Sequence, residues 1–112
     1  MSAAEPEDRG TLEIAHSVVR KVAEHAASRV PGTATARRRL GRGGPSVRVS
    51  GHGDHVDLDL DLALHYPASV PAVVDRVREA VAGEVRDLTS YRVRGLAVTV
   101  SALVRRPGTR VE

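Results

Sequence analysis

"HVDLDLDLALHY", His55 to Tyr66, is the stretch on which the fold turns. Asp57, Asp59 and Asp61 stand at every second position, with Val56, Leu58, Leu60, Leu62 and Leu64 interleaved. A strand rises about 3.3 Å per residue and turns successive side chains to opposite faces. The leucines therefore share one face and the aspartates the other, which predicts a strand with a dry side and a wet side.

Three carboxylates in series also invite a chemical reading. A D-x-D-x-D start resembles a calcium loop, but that loop needs Gly at its sixth position and Glu at its twelfth. Counted from Asp57, those places hold Leu62 and Ala68. Alternate side chains on a strand also lie roughly 6.6 Å apart, too far to converge on one ion without a bend. "HGDHVD", His52 to Asp57, gathers histidines and aspartates near a turn, but without cysteine or a second ligand cluster it is read as a polar hairpin tip. No metal, cofactor or catalytic residue is assigned, because no serine nucleophile has an evident base partner.

Outward from this strand, "SVRVS", Ser46 to Ser50, alternates in the same way, and "GHGD", Gly51 to Asp54, joins the two as a hairpin. Upstream, Val18, Val19, Val22, Ala23, Ala26 and Val30 follow helical spacing, with Arg20 and Glu24 placed for an i, i+4 pair and Pro31-Gly32 as the stop. Downstream, Ser69 is the N-cap and Pro71 sits in the first turn of a second helix. Its buried stripe is Val70, Val73, Val74, Val77, Val81, Val85 and Leu88. "YRVRGLAVTVSALV", Tyr91 to Val104, is the last strand; Val93 has one parity and Leu96, Val98 and Val100 the other, which predicts a bulge near Gly95. "GTLEI", Gly10 to Ile14, is expected to be a weak first strand.

The expected order is thus β-α-β-β-α-β, a two-layer α+β sandwich with two helices on one face of a three- to four-stranded sheet. Residues 1–9 are expected to be a disordered acidic tail, 10–104 a single domain and 105–112 a short basic tail. The core has to be built from aliphatic side chains, since the 112 residues contain no Phe, Trp or Cys and only two Tyr. That composition nearly excludes base-stacking platforms, disulfides and thiolate metal sites. No secretory signal or bilayer-spanning run is seen, so a cytoplasmic protein is expected.

The net charge of +3 is unevenly spread, with Arg37, Arg38, Arg39, Arg42 and Arg48 between Pro31 and Ser50 and no acid among them. "GRGG", Gly41 to Gly44, matches the G-x-x-G of KH modules, but here it falls between a helix and a strand rather than between two helices. Arg37, Arg38, Arg39 and Arg42 form a candidate anion-binding loop for nucleic acid or anionic lipid, or else a solvated loop. By parity, Arg48, Arg92 and Arg94 share the aspartate face with Asp57, Asp59 and Asp61. In water the neighbouring aspartates repel by roughly 0.6 kcal/mol per pair, which cross-strand arginines offset. These six residues are the candidate interaction face.

"GTLEIAHSVVRKVAEHAASRVPG", "VRV" and "VDLDLDLALHYPASVPAVVDRVREAVAGEVRDLTSYRVRGLAVTV", taken in order, resemble the alkaline shock protein family, envelope stress response proteins of Gram-positive bacteria. The resemblance spans Gly10 to Val104 and rests on the order and spacing of apolar patterns. It implies a non-enzymatic protein, peripheral to the membrane through a membrane-anchored partner of the same stress system, that self-associates and supports envelope homeostasis. It carries no catalytic residues and no cofactor, and the arginine-rich loop is not one of its hallmarks.

Overall fold

A computed structural model describes residues 6–34, 44–66 and 69–105. Its elements are helix α1 (Pro6–Ser28), strands β1 (Thr33–Ala34), β2 (Ser46–Ser50) and β3 (His55–Tyr66), helix α2 (Val70–Thr89) and strand β4 (Arg92–Arg105). This is the expected α+β sandwich, organised around β3. Antiparallel β2 pairs with Asp57–Asp61 and antiparallel β1 with Ala63–Leu64, end to end along one edge of β3. β4 runs parallel to β3 along the other edge. Parallel neighbours need a crossover, and α2 supplies it.

Register partners share a face, so the alternation of β3 is imposed on the strands beside it. Val47 and Val49 lie opposite Leu60 and Leu58, while Val93, Leu96, Val98 and Val100 lie opposite Val56, Leu58, Leu60 and Leu62. Both helices pack on this face. Val19, Ala23, Ala26, Ala27 and Val30 come down from the α1 side and Val73, Val77, Val81 and Val85 from α2, all buried against the leucines. Arg29 of the α1 terminus meets Glu84 of α2 at 3.4 Å, tying the two helices together at the surface.

The expected bulge is present, and a second accompanies it. Val93 pairs with Val56 but Gly95 with Asp57, which leaves Arg94 as an extra residue; Ser101 is likewise skipped between Val100 and Ala102. Ser101 Oγ donates to the Leu62 carbonyl at 3.4 Å. The first insertion restores the phase that puts Leu96, Val98 and Val100 over the core; past the second, Leu103 lies opposite Leu64 but is 52% exposed.

The backbone ladder also defines the outer edge of β4. Arg92 N–H donates to Asp54 O, and His65 N–H to Gly32 O. Even-numbered positions from Asp54 onward therefore turn their backbone groups toward β4, and odd ones toward β1 and β2. Leu96, opposite Leu58, then directs its carbonyl outward, where Arg78 of α2 donates Nη1 to it at 2.7 Å. A cationic side chain over an exposed strand edge discourages unplanned pairing.

Several expectations are corrected. Gly10–Ile14 form part of α1 rather than a strand, and residues 6–9 of the expected disordered tail are helical as well. Pro6 opens the helix, where its missing N–H costs nothing. The sheet position open to a first strand, beside Ala63 and Leu64, is taken by Thr33–Ala34. Arg105 belongs to β4 rather than to a tail. Val18 and Leu88, assigned to buried stripes, are 46% and 66% exposed because they fall at the margins of their helical faces. Residues 1–5 and 106–112 lie outside the described residues.

Helix α2 is capped at both ends. Ser69 Oγ accepts the Ala72 N–H at 3.4 Å, with Pro71 in the first turn as expected. At the other end Ser90 adopts a left-handed φ of 70° and its N–H donates to the Arg86 carbonyl. Ser90→Gly removes the Cβ penalty of that conformation while keeping the hydrogen bond, so it is expected to raise stability by about 1 kcal/mol in urea unfolding. Leu60→Ala, at a site 2% exposed in the middle of β3, is expected to lower it by about 3 kcal/mol. A loss below about 1 kcal/mol would contradict the packing of the leucine face.

Candidate interaction face

The second face of β3 carries Asp57, Asp59 and Asp61, and no second layer covers it among the described residues. β3 fixes where each carboxylate stands, and the neighbouring strands decide what lies beside it. Asp57 is flanked by Ser50 and Gly95, Asp59 by Arg48 and Ala97, and Asp61 by Ser46 and Thr99. Small residues on the β4 side leave the carboxylates accessible.

Asp57 has a bound partner. Arg94 donates Nη2 to Oδ2 at 2.7 Å and Nε to Oδ1 at 3.2 Å, the two-point geometry that suits a guanidinium to a carboxylate. The bulge makes this possible, because Arg94 is the residue without a register partner and can turn over the face. Gly95 gives the room: a Cβ there would sit 2.9 Å from Asp57 Oδ1. The Arg94 hydrogen bonds hold Asp57 below the ordinary carboxylate range, and the charges of Arg94, His52 and His55 add to that against partial desolvation.

Asp59 and Asp61 differ from Asp57, since neither has an ion-pair partner among the described residues. Arg48 lies opposite Asp59 in register. Together with Ser46, Val47, Leu60, Asp61 and Thr99 they line a shallow depression of about 370 Å³. Of the six residues expected on this face, the structure thus binds Asp57 to Arg94 and sets Arg48, Asp59 and Asp61 around one concavity. Arg92 stands apart, opposite His55 at the hairpin end. There His55 Nδ1 and Asp54 Oδ1 approach to 2.8 Å. Among the described residues no group of three or more His, Cys, Asp or Glu side chains could hold a metal ion. Arg37, Arg38, Arg39 and Arg42 lie outside the described residues.

Sequence reasoning did not find the Arg78 bond to Leu96, the second bulge or the Arg29–Glu84 pair. Each joins elements far apart in the chain, and local periodicity carries no signal for such contacts. One signal was legible for the second bulge: Val100, Leu103 and Val104 break strict alternation.

Two helices over one face of a mixed sheet define a two-layer α+β fold, which several solved structures share. A MamM CTD variant is 26% identical, covering 77% of this chain and 95% of its own, with a TM-score of 0.57. A copper form of another variant is 23% identical over 77% of this chain and 95% of its own, and a nickel form is 24% identical over 77% and 96%, each with a TM-score of 0.57. A comparison with curated proteins found no match. The chain belongs to the alkaline shock protein 23 family, described as having a cell envelope-related function; the family model matches residues 4–105. No helix among the described residues is long and apolar enough to cross a membrane.

The Asp57–Arg94 pair has a pH signature. A carboxylate whose folded-state pKa is lowered contributes stability that is fully present above its unfolded pKa and is lost as pH falls through the folded value. The stability difference between the parent and Arg94→Gln should therefore be constant near neutral pH and vanish in acid as Asp57 becomes protonated. Urea unfolding at a series of pH values measures it, and a difference that persists at the acid end would remove the pair as its cause.

Proposed function

We propose that this protein is a non-enzymatic assembly module of the cell envelope stress response, working at the cytoplasmic side of the membrane through self-association and a membrane-anchored partner. Family membership supports the envelope role, and the uncovered sheet face supports assembly. The observation that carries the proposal is the arrangement of Arg48, Asp59 and Asp61 around one depression, with both charge signs present and neither aspartate paired within the described chain. A surface bearing both signs can complement a second copy of itself, and such complementarity sets orientation and excludes mismatched partners.

The geometry also suits contact better than chemistry. Five of the seven residues lining the depression are polar, whereas a site that orients a small organic substrate usually surrounds it with apolar walls.

Asp59→Arg changes the charged groups of the depression from one positive and two negative to two positive and one negative, without touching the core. Sedimentation velocity across a concentration series should show the parent assembling and the variant shifted toward monomer by at least about fivefold in apparent Kd, equivalent to about 1 kcal/mol. Circular dichroism should show both folded. A monomeric parent, or equal assembly by parent and variant, would sink the proposal.

A further inference from the structure

A second cleft opens between α1 and β2, on the opposite side of Arg48 from the aspartates. It holds about 300 Å³ and is lined by His16, Ser17 and Arg20 of α1 and by Val47, Arg48 and Val49 of β2. Every ionisable side chain in this lining is an arginine or a histidine; no carboxylate is among them. That is an unusual local balance for a chain whose sheet carries three aspartates in series.

The polar groups here are incompletely satisfied. His16 Nε2 is buried and has no hydrogen-bond partner among the described residues. Arg20 reaches Glu24 only at 4.0 Å, with 45% of its side chain exposed, so its guanidinium is weakly held and available. Arg48 faces Asp59 in register but forms no ion pair among the described residues.

The β2 backbone adds donors. The ladder parity established by His65 and Gly32 makes Ser46, Arg48 and Ser50 the residues bonded to β3, so Val47 and Val49 turn their N–H and C=O groups to the outer edge. Two arginines, a serine, a histidine and the outer edge of β2 therefore border one concavity. Forked arginine donors match the oxygens of a phosphate group in geometry as well as in charge.

We infer that the cleft between α1 and β2 is a phosphate-binding site, with Arg20 and Arg48 as the charge partners and Ser17 Oγ as a donor. The phosphate can belong to a soluble ion or to an anionic lipid headgroup, since the recognition chemistry is the same. Ser17 and Arg20 border this cleft alone, so Arg20→Gln by itself separates phosphate binding from self-association, whereas Arg48 borders both surfaces.

The test is a backbone amide NMR titration of the full chain with inorganic phosphate at matched ionic strength, using chloride as the balancing salt. Resonances of His16, Ser17, Arg20 and Val47 to Val49 should shift in a saturable way, and Arg20→Gln with Arg48→Gln should weaken the apparent affinity at least tenfold. Lys21→Gln, on the adjoining exposed surface of α1, should leave it unchanged. A parallel arm uses phosphatidylglycerol vesicles against phosphatidylcholine vesicles, read by co-sedimentation of parent and double variant. Saturable cleft shifts with phosphate alone identify a soluble ligand; selective, variant-sensitive vesicle binding identifies a headgroup. Shifts spread evenly over all arginines, equal loss in Lys21→Gln, or no response in either arm would overturn the inference.

Discussion

The structure depends on the alternation of side chains along β3. Cross-strand partners must share a face, so five buried apolar residues in that strand oblige every neighbouring strand to put its own valines and leucines beside them. The resulting apolar surface is wide enough for two helices and lies on one side only. With no aromatic side chain in the described core cluster apart from the half-buried Tyr91, the interior is filled by small branched groups. Such groups need close approach, and the alanines of α1 provide it: Ala23, Ala26 and Ala27 are buried and let the helix sit close to its neighbours.

β4 shows how a sequence that departs from strict alternation can still serve a strictly alternating partner. In strict alternation Val93 and Leu96, three positions apart, would face opposite sides; with Arg94 bulged out of the ladder, both reach the core. The same insertion delivers a guanidinium to Asp57 and places a glycine where the carboxylate needs space. One local irregularity thus meets a packing requirement and an electrostatic one together.

The charges divide into held and unheld sets. Arg94 is occupied by Asp57, Arg29 by Glu84 and Arg78 by the Leu96 carbonyl. Arg48, Asp59 and Asp61 have no such commitments among the described residues, and Arg20 has only a long approach to Glu24. Arg48 borders both the aspartate depression and the α1–β2 cleft. Its long side chain can serve either side, and this makes it the residue through which the two surfaces meet.

By itself the sequence determined the strand at His55–Tyr66, the hairpin before it, the body of both helices, the Ser69 cap and the irregularity near Gly95, because each rests on spacing within a few residues. It also determined that the aspartates share a face, since a period of two leaves no other arrangement. The beginning of α1 was not legible: Gly10–Ile14 reads as a weak first strand, whereas it belongs to α1 and Thr33–Ala34 take that sheet edge. Nor was it legible which arginine would meet which carboxylate. Parity placed Arg48, Arg92 and Arg94 on one face, but the bulge alone sent Arg94 to Asp57 and left Arg92 beside His55. Tertiary structure made those decisions because cross-strand register and helix placement join residues dozens of positions apart, over distances at which local periodicity has no hold.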